Sequence, residues 1–250
     1  MPNNDIGPSV ITDLSSGCPT FLSLVDEKIS TLNYPINTGS RLVLLSGNRV
    51  LIINSKSVFI LDLQTMKKSP CPDLKTYREN FSAVLFDNIV LVTGGESVNE
   101  LEICEAFDGN EWFTLTKMNI SRSWHSSIVW NEIVYVFGGL RTSSIERLKG
   151  KWEVLQTKLP WNINRIGLSC FNDRLLVVGG EVLGTGYSTA GWEFDKESLK
   201  LLATKPCPAQ GLFYSQGAFY KDSCYFLTGG LVILYNTLYR SWAISQKLTN

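Results

Sequence analysis

The chain has 250 residues, 44% of them hydrophobic and 18% charged, which is too apolar for a disordered segment and long enough to bury a substantial core. Lys+Arg 23 balances Asp+Glu 23, so no net field gathers phosphate backbones, and nucleic acid is not an expected partner. Six cysteines (Cys18, Cys71, Cys104, Cys170, Cys207 and Cys224) form no C-x-x-C pair, which argues against a disulfide scaffold or a zinc site.

In chain order, the N-terminal MPNNDIGPSVITDLSSG lacks the basic start and apolar core of a secretory signal. No apolar run approaches the ~20 residues of a membrane helix, so the expected compartment is the cytoplasm, with no membrane partner. Thr20 to Val25 and Lys28 to Leu32 read as the last strands of an incomplete sheet, and Ser9 to Leu14 could add another strand. An apolar run at Asn48 to Ser55 follows. The same pattern then recurs, ending each time in two glycines: Asn88 to Glu96 (NIVLVTGGE), Asn131 to Leu140 (NEIVYVFGGL), Asp173 to Glu181 (DRLLVVGGE) and Asp222 to Leu231 (DSCYFLTGGL).

Between first glycines the spacing is 44, 41 and 50 residues, and Asn54 stands 40 residues before Gly94 in a copy that lacks the doublet. A period of this length marks a repeat architecture. Each copy reads as four short strands. In the third, Ser126 to Trp130, Ile133 to Phe137, Ser144 to Leu148 and Trp152 to Gln156 are strands, with a tight turn at Asn131-Glu132. The second strand is nearly all apolar and suits burial on both faces. Its terminal glycines (Gly94, Gly95, Gly138, Gly139, Gly179, Gly180, Gly229 and Gly230) are expected where backbones crowd, because only a residue without Cβ permits close approach. They lead into another strand and not into a helix, which argues against a phosphate loop.

In four of the five copies the third strand leads to an aromatic or leucine followed by Asp or Asn: Leu61-Asp62, Phe107-Asp108, Phe194-Asp195 and Tyr235-Asn236; the third copy departs, with Leu148 where the aromatic is expected. These Asx residues are expected to make the bend into the fourth strand. Trp112, Trp152 and Trp242 come next, with Met66 and Leu199 as apolar stand-ins, and are expected to pack between sheets.

Doublet, aromatic and tryptophan at one period resemble the repeats of kelch β-propellers, over residues 41 to 250. The resemblance implies an all-β propeller, expected as one domain over 1–250. Residues 1–40 would be a partial N-terminal blade and 41–250 five repeats, giving six blades with a deficient first; five blades and an appendage is the alternative.

The resemblance also bears on function. Kelch folds include a copper-radical oxidase, sugar epimerases and specifier lyases. The oxidase needs two imidazoles with tyrosine ligands, and this chain has only His125, expected to be a packed residue in the slot of Phe81 and Leu168. Glu96 and Glu181, each following a doublet, read as solvated loop residues. No nucleophile and base pair stands out, so no catalytic residue, metal or cofactor is expected, although an enzyme of the specifier or epimerase sort is the alternative.

The leading candidate site is the opening of each first strand. Arg41, Arg78, Arg122 and Arg165 stand 13 to 16 residues ahead of the doublet or its equivalent, and the last three begin Arg-x-x-x-Ser units ending at Ser82, Ser126 and Ser169. In the kelch adaptors that these residues resemble, such side chains grip acidic peptide motifs, since guanidinium binds carboxylate bidentately. The competing role is to tie neighbouring blades together. The resemblance implies a non-catalytic scaffold or adaptor with a protein partner, such as a large assembly or a ubiquitin-ligase component.

Overall fold

The computed structural model describes residues 9–12, 20–23, 28–31, 39–46, 48–210, 217–228 and 231–247, the first three segments and 246–247 by backbone alone. Five four-stranded antiparallel sheets follow one another along the chain. Sheet 1 contains Arg41–Leu45, Arg49–Asn54, Ser57–Asp62 and Lys68–Pro70. Sheet 2 contains Ser82–Phe86, Ile89–Thr93, Cys104–Phe107 and Trp112–Leu115. Sheet 3 contains Ser126–Trp130, Ile133–Phe137, Ser144–Lys149 and Lys151–Lys158. Gly167–Phe171, Arg174–Val178, Gly191–Asp195 and Leu201–Ala203 make sheet 4, and Ala218–Tyr220, Ser223–Thr228, Leu231–Asn236 and Ser241–Lys247 make sheet 5.

Every sheet is a meander in which consecutive strands pair. First strands of successive sheets lie against one another, so they are innermost and the sheets radiate from a common axis. The N-terminal segment forms a three-stranded sheet of Ser9–Thr12, Thr20–Ser23 and Lys28–Thr31, whose first strand lies against Ser223–Thr228 of sheet 5. A small sheet of Ile163–Asn164, Glu181–Val182 and Gly186–Tyr187 links the approach to sheet 4 with that sheet's own second connection.

The core lies in the seams. The second strands are buried along most of their length, as in Val50 to Ile53 and Val134 to Phe137, and their side chains alternate between the two flanking seams. Ile128, Tyr135, Phe137 and Val177 pack with Trp192 and Phe194 between sheets 3 and 4, while Leu176, Cys224 and Tyr235 pack between sheets 4 and 5.

The doublets sit where each sheet meets the approach to the next. Gly95 donates its backbone N–H to Arg122 O at 2.9 Å, and Gly139 donates to Ile163 O at 3.0 Å. A Cβ on Gly94 would lie 2.5 Å from Arg122 O, and one on Gly138 would collide with the carbonyl of Ile163; both residues have positive φ, 54° and 62°. Sheet 1 needs no doublet because Asn54 and Ser57 close a two-residue hairpin, whereas sheets 2 to 4 have longer second connections. Gly229 and Gly230 lie outside the described residues.

The Asx turns are formed as expected. Asp108 Oδ1 accepts the backbone N–H groups of Asn110 and Glu111, Asp62 Oδ1 those of Gln64 and Thr65, Asp195 Oδ1 that of Ser198, and Asn236 Oδ1 that of Tyr239. The tryptophan positions need one correction. Trp112, Trp152 and Trp242 pair with Phe107, Leu148 and Tyr235, and the residues in that register in sheets 1 and 4 are Lys68 and Leu201, not Met66 and Leu199. Met66 and Leu199 are the left-handed residues of the preceding turns, at φ 58° and 52°. Each tryptophan indole donates to a carbonyl between its own sheet and the preceding one: Trp112 to Pro72 O, Trp152 to Thr116 O and Trp242 to Lys205 O, at 2.8 to 3.0 Å.

Gly138→Ala should lose about 3 kcal/mol or more in urea denaturation, since it meets both the strained φ and the Ile163 carbonyl. Gly150→Asn is the control: φ is 71° there, a Cβ meets nothing within 4 Å, and the expected loss is under about 1 kcal/mol. Equal losses would refute the crowding account.

Candidate binding face

The approaches to the first strands and the second connections share one end of the disc, here called the doublet face. The first and third turns of each sheet lie at the other end. The four arginines that spacing groups together divide into three structural positions on the doublet face.

Arg78 and Arg122, both 16 residues before the doublet, are fully buried. Arg78 Nη1 donates to Gly94 O and Ile103 O, both at 2.8 Å, and its Nη2 meets Glu105. Arg122 Nη1 donates to Gly138 O at 2.6 Å and Ser144 O at 3.2 Å, and its Nη2 donates to Ser144 Oγ and Glu146 Oε1, both at 2.8 Å. The carboxylates in turn accept from the preceding linker: Glu105 from the backbone N–H of Lys75 and Thr76, Glu146 from those of Asn119 and Ile120. Burial lowers the pKa of both arginines, and the facing carboxylates oppose that shift. A side chain with no exposed surface cannot touch a partner, so the expectation of partner contact is corrected at these two positions: they are structural clamps.

Among the described residues the clamp occurs in sheets 2 and 3. In sheet 4 the residue 16 before Gly179 is Ile163, whose carbonyl receives Gly139 as that of Arg122 receives Gly95. Trp192, opposite Val177, takes the register of Glu105 and Glu146, and both Ile163 and Trp192 are buried. An apolar pair thus replaces an ion pair.

Arg165 stands 14 before its doublet and occupies the position of Asn80 and Trp124. All three are non-glycine residues in the left-handed region, at φ 55°, 52° and 58°. Trp124 N donates to Asn80 O and Arg165 N to Trp124 O, each at 2.8 Å, a belt of backbone hydrogen bonds from sheet to sheet at the mouth of the axis. Above it, Asn80 Nδ2 donates to Glu96 Oε1 at 2.6 Å, Arg165 pairs with Glu181 at 3.2 Å, and the Arg165 guanidinium lies 3.7 Å from the centre of the Trp124 ring. Glu96 and Glu181 are therefore part-buried and each paired within its own sheet. Trp124 and Arg165 keep part of their surface exposed, the latter 26% of its side chain.

Phe81, His125 and Ile166 each come immediately before the residue paired one ahead of the doublet, so the sheet-4 counterpart of His125 is Ile166 and not Leu168. Arg41 stands 13 before Asn54 and, paired with Ile53, takes the register of Ser82, Ser126 and Gly167. Its Nε donates to Phe81 O at 2.8 Å and its guanidinium lies over the Phe81 ring. The serines below are buried as well. Ser82 Oγ and Ser127 Oγ are 2.6 Å apart, Ser126 Oγ donates to Ile166 O at 2.7 Å, and Ser169 has no exposed surface. Arg41, Ser82, Ser126 and Ser169 therefore belong to the interior, and the partner-contact expectation is corrected for them too: all four are buried, and the first three are engaged with neighbouring sheets. Sequence reasoning missed Trp124 and Asn80; the signal available was the count of 14 to the doublet.

His125 is fully buried, with Nε2 2.9 Å from Thr93 Oγ1. Burial, with the Arg122 and Arg41 charges nearby, holds its pKa well below the usual value. Burial also pushes the Cys104 and Cys224 thiols up to about 12, and among the described residues no cluster of metal-ligating side chains occurs.

Radial four-stranded meanders bearing the doublet, the Asx turn and the seam tryptophan define a kelch-type β-propeller. No family model matches the chain. Sequence relatives include Kelch repeat and BTB domain-containing protein 1 of Horsepox virus, 23% identical over 220 residues covering 79% of this chain. Another is Kelch repeat and BTB domain-containing protein 2 of Cowpox virus (strain Brighton Red), 20% identical over 143 residues covering 53% of this chain. The chain spans 39% and 26% of the lengths of these relatives. Among solved structures, YjhT has the same fold, with a TM-score of 0.70 over 84% of each chain and 14% identity.

Arg122→Ala strands Glu146 without its cation and should lose about 3–5 kcal/mol in chemical denaturation, whereas Arg122→Met with Glu146→Leu should recover most of that loss. An Arg122→Ala loss below about 1 kcal/mol would show that the clamp is dispensable. A second expectation concerns acid. His125 stays neutral in the fold while the unfolded chain takes a proton near pH 6.5, so stability falls as pH drops from about 6.5 to 5, by up to about 1.4 kcal/mol per unit. His125→Phe, which installs the sheet-2 residue, should flatten that slope in melts across this window.

Proposed function

We propose that this chain is a non-catalytic interaction module of the cytoplasm, a scaffold or adaptor that holds a segment of a partner protein across the doublet face at the mouth of the axis. The observation that carries the reading is the Trp124–Arg165 stack. A bulky left-handed tryptophan is an uncommon backbone state, such states concentrate at ligand-contacting positions, and Trp and Arg are the side chains most often dominant in protein interfaces. Glu181 and Glu96 fix the rim from behind, so the contact surface is ordered before a partner arrives. Exposed Tyr77, Val98, Trp161, Leu183 and Tyr187 all belong to the approaches and second connections of this same end, which supports a protein partner over a small ligand.

The relatives' names join kelch repeats to a BTB domain, which supports an adaptor role, with a ubiquitin-ligase component or a large assembly as the proposed setting. The enzymatic alternative would draw on His125 beside a shifted carboxylate in a pocket. His125 is instead buried against Thr93, which supports binding over catalysis.

Trp124→Asn with Arg165→Asn, both compatible with positive φ, should melt within about 1 kcal/mol of the parent. In affinity purification with quantitative mass spectrometry the double variant should lose the proteins that the parent enriches. Retention of the same partners at the same level would refute the mouth as the binding site.

A further inference from the structure

At the end of the disc opposite the doublet face, the seam between sheets 4 and 5 opens into a cleft of about 300 Å³. Its floor is Glu193, whose side chain is 3% exposed. The reason lies in register. Glu105 and Glu146 sit opposite Val92 and Val136, two residues before the first glycine, but Glu193 sits opposite Leu176, three before Gly179. A one-residue offset moves a side chain to the other face of the sheet, so this carboxylate points forward to sheet 5 rather than back to the preceding linker.

There Tyr235 donates its hydroxyl to Glu193 Oε1 at 2.7 Å, while Glu193 Oε2 meets Arg174 Nη1 at 2.9 Å and Arg240 Nη2 at 3.3 Å. One buried oxygen therefore holds two guanidiniums side by side. Asp195 lies 3.9 Å from Arg174 Nη2, but its Oδ1 is already used in its own turn, and Asp173 pairs with Lys196 at 3.5 Å. The cleft is thus close to neutral overall. Its distinguishing property is unused donors: the Arg240 side chain is 58% exposed, and among the described residues its ion pair is with Glu193 alone. Beside it on the same turn, Leu238 and Tyr239 are 68% and 79% exposed, and Leu238 and Phe171 line the cleft. The corresponding cleft between sheets 2 and 3, lined by Phe86, Leu115 and Leu148, has no such arginine pair.

We propose that this cleft is a second peptide-binding site, which takes a segment carrying an acidic side chain next to a large apolar residue. The carboxylate of the segment accepts N–H groups from the free edge of Arg240, with Arg174 adjoining, in the planar geometry that guanidinium and carboxylate share. The apolar neighbour covers Tyr239 and the outward part of Leu238, which a ligand confined to the cleft would leave in water. This site is separate from the mouth on the doublet face and does not depend on it.

A phage-displayed random 12-residue library panned on the full chain tests the proposal. The recovered peptides should share Asp or Glu within two residues of Leu, Ile, Phe or Trp. A fluorescein-labelled consensus peptide, followed by anisotropy, should bind at least tenfold more weakly to Arg240→Asn and to Leu238→Ser, both exposed positions whose melts should match the parent, and equally well to the Trp124→Asn, Arg165→Asn variant. Three results would overturn it: no enrichment over the bare support, a consensus without a carboxylate, or affinity unmoved by Arg240→Asn and Leu238→Ser. Displacement of the peptide by millimolar benzoate alone, with the same Arg240 dependence, would reassign the cleft to a small carboxylate and also overturn the peptide assignment.

Discussion

The structure depends on a backbone contact between neighbours: the N–H of the second doublet glycine reaches the carbonyl of the next sheet's approach, from Gly95 to Arg122 and from Gly139 to Ile163. This contact requires the two backbones to approach more closely than any Cβ allows. Once it is made, the approaches to sheets 3 and 4 are fixed relative to the preceding sheets. The first strands are then delivered to the axis, and the second strands are buried on both sides. Sheet 1 shows the rule by its exception, since a two-residue hairpin at Ser55 and Lys56 removes the connection that the doublet would otherwise shape.

The buried ions elaborate the same contact. Arg122 satisfies the carbonyls of Gly138 and Ser144, and Glu146 satisfies the N–H groups of Asn119 and Ile120, so one ion pair serves the polar groups of two irregular segments. Desolvating two charges is costly and attraction alone does not offset it; the surrounding backbone bonds make the pair tenable. Sheet 4 reaches a comparable arrangement with Ile163 and Trp192. The fold tolerates both solutions because what it needs at that point is a filled, fully satisfied junction, not a particular charge.

Much of the architecture was legible in the sequence because glycine and Asx residues act through local backbone demands that do not depend on distant neighbours. Gly94 and Gly138 had to be glycine, and Asp62, Asp108 and Asp195 had to make their turns, whatever the packing. Side-chain direction was not legible in that way. Arg78, Arg122 and Arg165 share a motif, yet two residues of difference in spacing to the doublet send the first two inward and leave the third at the rim. Counting along the turn makes Met66 the tryptophan equivalent, but a count does not reveal pairing, and Lys68 is the residue opposite Leu61. Glu193 is the same lesson in a strand, where a single step in register decides which seam receives the charge.

The indoles of Trp112, Trp152 and Trp242 each reach back to a carbonyl between their own sheet and the preceding one. An outer strand is ordinarily the part of a sheet that frays first, yet in these three sheets it is bolted to the preceding segment by a directional bond that shear along the seam would have to break. At these three sheets the rim of the disc is in consequence braced by directional bonds, as the hub is. A guest at either proposed site would meet wedges braced in this way, and the conformational adjustment of recognition would fall on the guest.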